Sequence, residues 1–229
     1  MNLVIEKQKL GTSVGDHVYE IIKKNIINLN MPPGSRVSEK EVSDLLNVSR
    51  TPVREAFIKL SKEQLIYAVP QKGTYISHID LEAVEDARFI RECLEKTVIS
   101  MATESFPEDL IYVLEDNFKR QKQAIKQKKF YDFLMLDEDF HRTIFVGVNK
   151  GSVWSYIEQI NTHYKRVRML TLIADVNWLG LVDQHMHILK SIKNQDHELG
   201  QEVISTHIKK LITEQEELKT RYPQYFKID

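Results

Sequence analysis

Apolar side chains recur at helical spacing along most of the chain, and the exceptions divide it in two. Near the start, Val14, Val18, Ile21, Ile22 and Ile26 share one helical stripe that ends before Pro32, Pro33 and Gly34, a run no helix continues through. Ser38 followed by Glu41 is a capping-box start for a short second helix over 39–47. Ser49 opens a third over 50–63, with Pro52 tolerated in its first turn. Val42, Leu45, Leu46, Val48, Val53, Phe57 and Leu60 are predicted to pack these two helices together. The period then changes: LIYAVPQKGTYISHI, residues 65–79, holds two short runs of β-branched and aromatic residues around Gly73, which predicts a hairpin. Helix, helix, turn, helix and hairpin make a winged helix-turn-helix over residues 1–78.

From Asp80 onward helical periodicity continues almost without relief, in segments near 80–104, 107–128, 130–147, 151–174, 178–194 and 196–219. Only Pro107 and Pro223 interrupt this part. The expectation for 79–229 is an all-α bundle of about six helices, and for the whole chain a mainly α fold.

With 42% hydrophobic and 28% charged residues the chain has a typical soluble globular composition. The single cysteine, Cys93, excludes an internal disulfide framework and a Cys-rich zinc site. The first residues, MNLVIEKQKL, lack the apolar core of a signal peptide, and no run approaches the ~20 apolar residues of a membrane span, so a cytoplasmic protein is expected. Residues 1–78 carry 11 Lys and Arg against 8 Asp and Glu, leaving 21 against 25 for the remainder. A basic front and an acidic remainder suit a nucleic-acid-binding module joined to a domain with another task.

Several charges lie where apolar faces should be. In FLMLDEDFHRTIF, residues 133–145, the stripe is Leu134, Asp137, His141, Ile144 and Phe145, while Glu138 and Arg142 are predicted as an outward i, i+4 ion pair. By the same test His185 points inward with Val182, Leu189 and Ile192, and His207 with Val203, Ile204, Ile208 and Leu211. An unpaired carboxylate in an apolar interior costs several kcal/mol, so Asp137 needs a partner. Three histidines and one carboxylate on three helices have the ligand types of a zinc site; on spacing alone they are equally core histidines satisfied by hydrogen bonds. His163, on a stripe with Tyr156, Ile160, Val167 and Leu170, passes the same test. Arg91 also faces inward, with Val84, Ala87, Leu94 and Val98, and asks for a carboxylate: Glu95, or a bound ligand. Arg88 falls instead with Glu85 and Glu92 on a charged stripe.

In the front part, Ser49, Arg50, Thr51 and Arg54 stand at the exposed start of the third helix, as a recognition helix presents side chains to the major groove. Arg50 and Arg54 share a face and can grip guanine or phosphate, and Arg36, Lys40 and Lys72 add cationic reach.

The stretches PPGSRVSEKEVSDLLNVSRTPVREAFIKLSKEQLI and VPQKGTYI make residues 10–78 similar to the DNA-binding domain of GntR-family bacterial transcription regulators. That resemblance implies a homodimer reading a palindromic operator, with DNA contacts at Arg36, Lys40, Ser49, Arg50, Thr51, Arg54 and Gly73. Lys40 stands where several members have arginine, which implies a weaker contact. Residues 80–215 resemble the FCD ligand-binding domain of the family's FadR-type branch: DEDFH, QHMHIL and STHIKKL match its metal-binding pattern. The implied ligands are Asp137, His141, His185 and His207. Gln184 replaces the usual acid beside His185, which changes the hydrogen bonding behind the ligands. RECLE, residues 91–95, matches the family near an effector pocket and implies that Arg91 helps hold a small carboxylate metabolite. Zn2+ suits the donor set, and Ni2+ or Mn2+ would also accept it. The competing readings are a metal-dependent hydrolase, which would need a base that Glu138 is poorly placed to supply, and a regulator whose metal is purely structural.

Overall fold

A computed structural model describes residues 3–5, 7–8, 11–174 and 179–227. The chain divides into two compact units, residues 1–81 with 219–229, and residues 82–218.

The first unit contains α1 (Val14–Ile27), β1 (Arg36–Val37), α2 (Glu39–Leu46), α3 (Arg50–Lys62), β2 (Ile66–Val69) and β3 (Gly73–Ile76). Ser13 and Ser38 cap α1 and α2 by accepting from Asp16 N and Glu41 N. Asn47, left-handed at φ 51°, ends α2 and lets the chain turn into α3. Val18, Ile22, Val42, Val53, Leu60 and Ile76 are wholly buried and form the centre of the unit. The hairpin is joined by β1, a strand too short to leave a periodic signal, giving an antiparallel sheet in the order β1-β3-β2. Arg36 stands opposite Tyr75, and Tyr67 opposite Tyr75 on the other side. Leu45 is not a packing residue: it is 45% exposed, because Val42 and the half-buried Leu46 already occupy the inner face of the eight-residue α2. The end of the chain returns to this unit, where Ile79 N donates to Tyr225 O at 2.8 Å and Lys227 N to Ile79 O at 2.9 Å.

The second unit is built from α4 (Leu81–Glu104), α5 (Glu108–Lys126), α6 (Phe130–Gly147), α7 (Gly151–Ile160), α8 (Thr162–Ile173), α9 (Leu179–Asn194) and α10 (His197–Arg221). The segment expected over 151–174 is two helices, broken at Asn161, whose side-chain amide is drawn to Glu138 at 3.2 Å. Phe140, Ile144, Phe145, Trp154, Ile157 and Ile188 form the centre of the core. α6 is enclosed on more than one side, so Glu138 is only 5% exposed, and Arg142 pairs with Asp139 at 3.0 Å rather than with Glu138. No helix among the described residues is long and apolar enough to cross a membrane.

The close approach of α10 to α4 and α9 depends on Gly200, where a Cβ would lie 2.8 Å from Ile99 Cγ2 and 3.1 Å from Ser191 Oγ. Gly200→Val is expected to lower the stability of the second unit by about 1–3 kcal/mol through overpacking, read as a reduced denaturation midpoint in urea.

Candidate nucleic-acid interface and candidate metal centre

At the start of α3, Ser49, Arg50, Thr51 and Arg54 are all exposed. Ser49 occupies the N-cap with extended backbone, yet its hydroxyl makes no capping hydrogen bond, so it and the first amides of α3 face outward as donors. Lys40 is exposed in the first turn of α2, and Lys72 at the hairpin tip. Arg36 and Gly73 meet across the β1–β3 pair: Gly73 has φ +120°, and a Cβ there would come within 2.8 Å of Arg36 Nε. Glycine is therefore needed twice at this point, for its backbone conformation and for the room it leaves the guanidinium. A stacked pair, Tyr67 and Tyr75, lies beside Arg36 on the same sheet, with ring centres 5.8 Å apart.

In the second unit the four inward residues come together. Asp137 and His141 from α6, His185 from α9 and His207 from α10 are buried, with one ligand atom from each lying within 4.8 Å of the others. Metal bonds of about 2.0–2.2 Å hold ligand atoms no more than about 4.4 Å apart, so the cluster is within a few tenths of an ångström of that limit. His163 is buried on α8 outside this group.

Hydrogen bonding decides which nitrogen each ring offers. His141 Nδ1 lies 2.6 Å from Glu95 Oε2, His185 Nδ1 2.7 Å from Gln121 Oε1, and His207 Nδ1 3.0 Å from Gln184 Oε1. Glu95 is held as an acceptor: burial raises its pKa, but Arg91 and His141 bring it down to about 2. The Gln121 amide is oriented by a chain that ends on the main chain, Gln121 Nε2 donating to Asn117 Oδ1 at 2.7 Å and Asn117 Nδ2 to Leu136 O at 2.9 Å. All three rings therefore engage an acceptor through Nδ1, and their Nε2 atoms converge. His141 Nε2 and His207 Nε2 are 3.2 Å apart, and His185 Nε2, 3.3 Å from Asp137 Oδ1, has no hydrogen-bond partner among the described residues. Burial pushes the pKa of His185 down, and burial with the neighbouring His185 and His141 pushes that of His207 far down, so both present lone pairs at neutral pH. Burial opposes the ionisation of Asp137, but Arg168 and the nearby histidines hold its pKa well below the carboxylate range. Ring nitrogens converging around a buried carboxylate are the donor set of a divalent cation, and the residues fit one.

A second layer of ions surrounds the cluster. Arg91, 1% exposed, pairs with Glu95 at 2.7 Å and Glu138 at 3.3 Å and lies over the rings of Trp154 and Tyr164. Glu138 also receives Lys165 at 2.9 Å, Arg168 at 3.2 Å and the Asn161 amide. Burial would raise the pKa of Glu138; Lys165, Arg91 and Arg168 lower it, leaving a weak base with every direction occupied. Arg168, absent from the sequence-based site, reaches Asp137 Oδ1 with Nη2 at 2.6 Å. A pocket beside the cluster is lined by Tyr164, Arg168, Thr171, Leu181, His207 and Lys210. Arg91 does not line it, because Glu95 and Glu138 hold its guanidinium behind the cluster.

Residues 86–210 match the FCD domain, and residues 15–76 match the bacterial regulatory proteins of the gntR family. The chain is 32% identical over 225 residues to the HTH-type transcriptional repressor RspR of Escherichia coli K12, covering 98% of this chain and 99% of that one. It is 30% identical over 212 residues to an HTH-type transcriptional regulator in an unstable DNA locus of Streptomyces ambofaciens, covering 93% and 89%. In fold it is similar to E. coli McbR/YncC, with a TM-score of 0.77 at 19% identity over 92% of this chain and 99% of that one.

Arg91→Met would leave Glu95 and Glu138 each short of a buried cation. The expected loss is about 3–5 kcal/mol of stability, measured by chemical denaturation, with part of it recovered when Glu95→Gln is added.

Proposed function

Because the chain belongs to the GntR family of bacterial transcription regulators and carries its FCD domain, we propose that it is a cytoplasmic homodimer whose helical unit binds a divalent metal and a small carboxylate, and so adjusts its grip on a palindromic operator. Two copies of the reading head on two half-sites account for the palindrome. In each head, Arg50 and Arg54 of α3 reach base edges. Ser49 and Thr51, with the free amides at the helix start, hold phosphate and set the register. Arg36 with Gly73 and Lys72 follow the backbone from the wing, and Lys40 adds a phosphate contact from α2.

The convergence of three Nε2 atoms on Asp137 is the observation that carries the ligand-sensing half of this reading. Asp137, His141, His185 and His207 would hold the metal, with Zn2+ favoured by donor type and Ni2+ or Mn2+ acceptable. The metal would supply open coordination positions for a carboxylate. The pocket beside His207 favours this over a purely structural metal, since a structural site is closed by its protein ligands. Arg91 acts from behind, holding Glu95 against His141 and so fixing that ring's tautomer. The effector changes operator affinity only through unequal affinity for the DNA-competent and incompetent arrangements, and a tenfold change needs about 1.4 kcal/mol.

Purified protein is expected to retain about one metal per chain, and His185→Ala to lose it; full metal content in that variant would remove the assignment. Arg54→Ala is expected to weaken operator binding by roughly 1–3 kcal/mol with metal content unchanged, measured by fluorescence anisotropy at fixed salt. Gly73→Ala, which displaces the Arg36 guanidinium, should weaken it alike across operator sequences, since a backbone contact carries no sequence information.

A further inference from the structure

The six charged groups that pair around the cluster cancel: Glu95, Asp137 and Glu138 against Arg91, Lys165 and Arg168. The three cations are not equivalent. Arg91 and Lys165 bond to acids that ligate nothing, whereas Arg168 Nη2 sits 2.6 Å from Asp137 Oδ1, the oxygen that also faces His185 Nε2. Glu138, the other partner of Arg168, keeps Arg91, Lys165 and Asn161 if Arg168 leaves. Asp137 has no other arginine or lysine partner among the described residues. Arg168 is also the cation of this network that lines the pocket beside His207.

We propose that Arg168 is a place-holding cation: it neutralises Asp137 until a divalent metal takes that carboxylate, and it then turns its guanidinium to hold a small anion in the adjoining pocket. The inference rests on the metal reading of the cluster and adds to it an order of binding. Before the metal arrives, the guanidinium is spent on Asp137 and the pocket holds an anion weakly. Once Asp137 is taken, two positive charges have been added to a set that already cancelled, and the released guanidinium adds to the field at the pocket. Metal and anion then strengthen each other reciprocally, as linkage requires.

The sign of one substitution separates this from a bland role. If Arg168 merely orients Asp137 for the metal, removing it weakens metal binding. If it competes for Asp137, removing it strengthens metal binding. The experiment uses the full-length chain stripped of metal and measures Zn2+ affinity by competition with a chromophoric chelator, with and without acetate as the probe anion. The wild type should bind Zn2+ about tenfold more tightly with acetate present. Arg168→Gln should bind Zn2+ more tightly than wild type without acetate and lose the acetate effect. Arg168→Lys covers the case in which the glutamine variant does not fold, because a single ammonium cannot span Asp137 and Glu138 together. It should show at least wild-type Zn2+ affinity and a reduced acetate effect. Weaker Zn2+ binding in either variant, with the acetate effect intact, would overturn the inference while leaving the metal site standing. Failure of the wild type to bind Zn2+ above an Asp137→Asn control would remove the metal reading itself, and the inference with it.

Discussion

Three imidazoles commit Nδ1 to oxygen acceptors, and their Nε2 atoms are left facing one another and a buried carboxylate. That unfavourable convergence is sustained by every helix of the second unit. α6, α9 and α10 supply the four inner residues. α4 brings Glu95, α5 Gln121 and α9 also Gln184 as the acceptors behind the rings. α7 lays Trp154 parallel to His141, and α8 sends Arg168 to Asp137. An apolar core alone would fix the helices less closely, because methyl groups tolerate small slides that a hydrogen-bonded ring does not.

The first unit obeys a different constraint. Its polar groups of interest face water, and what must be controlled is direction rather than desolvation. Asn47 in the left-handed region sets the turn into α3, which leaves Ser49 extended and its hydroxyl outside the cap. On the wing, the missing Cβ of Gly73 gives Arg36 its place. Each of these is a local backbone feature, and each aims a donor outward from a core of branched aliphatic residues.

The difference explains what could be read from residues alone. A stripe test finds a polar residue on an otherwise apolar face, and it found Asp137, His141, His185 and His207 because each interrupts such a face. It misjudged Glu138, since the test supposes one buried side and α6 is enclosed on several. Arg168 escaped for a related reason: from Thr162 to Leu172 the side chains of α8 are buried almost without exception, so no exposed face gives contrast. Gln121 lies in a stretch of lysine, arginine and glutamine that reads as solvated, although Ala124 and Ile125 mark its buried side. Leu45 shows the reverse error, an apolar residue on a short helix whose inner face was already full. Tautomers were beyond any pattern, because they depend on Glu95, Gln121 and Gln184, which lie 23 to 64 residues from the rings they orient.

The same geometry bears on why a site with hydrolase-like ligands suits a regulator. Metal-assisted hydrolysis needs a carboxylate or imidazole free to take a proton from bound water. The acid next to Asp137 is Glu138, and it is held by Arg91, Lys165, Arg168 and Asn161. Moving it would strip the buried Arg91 and Arg168 and the half-buried Lys165 of an anion, and those cations also lower its pKa and weaken it as a base. Glu95 is likewise engaged by Arg91 and His141. Both acids are thus committed to structure, and the pocket beside His207 is lined by the cations Arg168 and Lys210. Under the proposed reading such a pocket would hold a ligand without changing it, which is what a sensor of a metabolite requires.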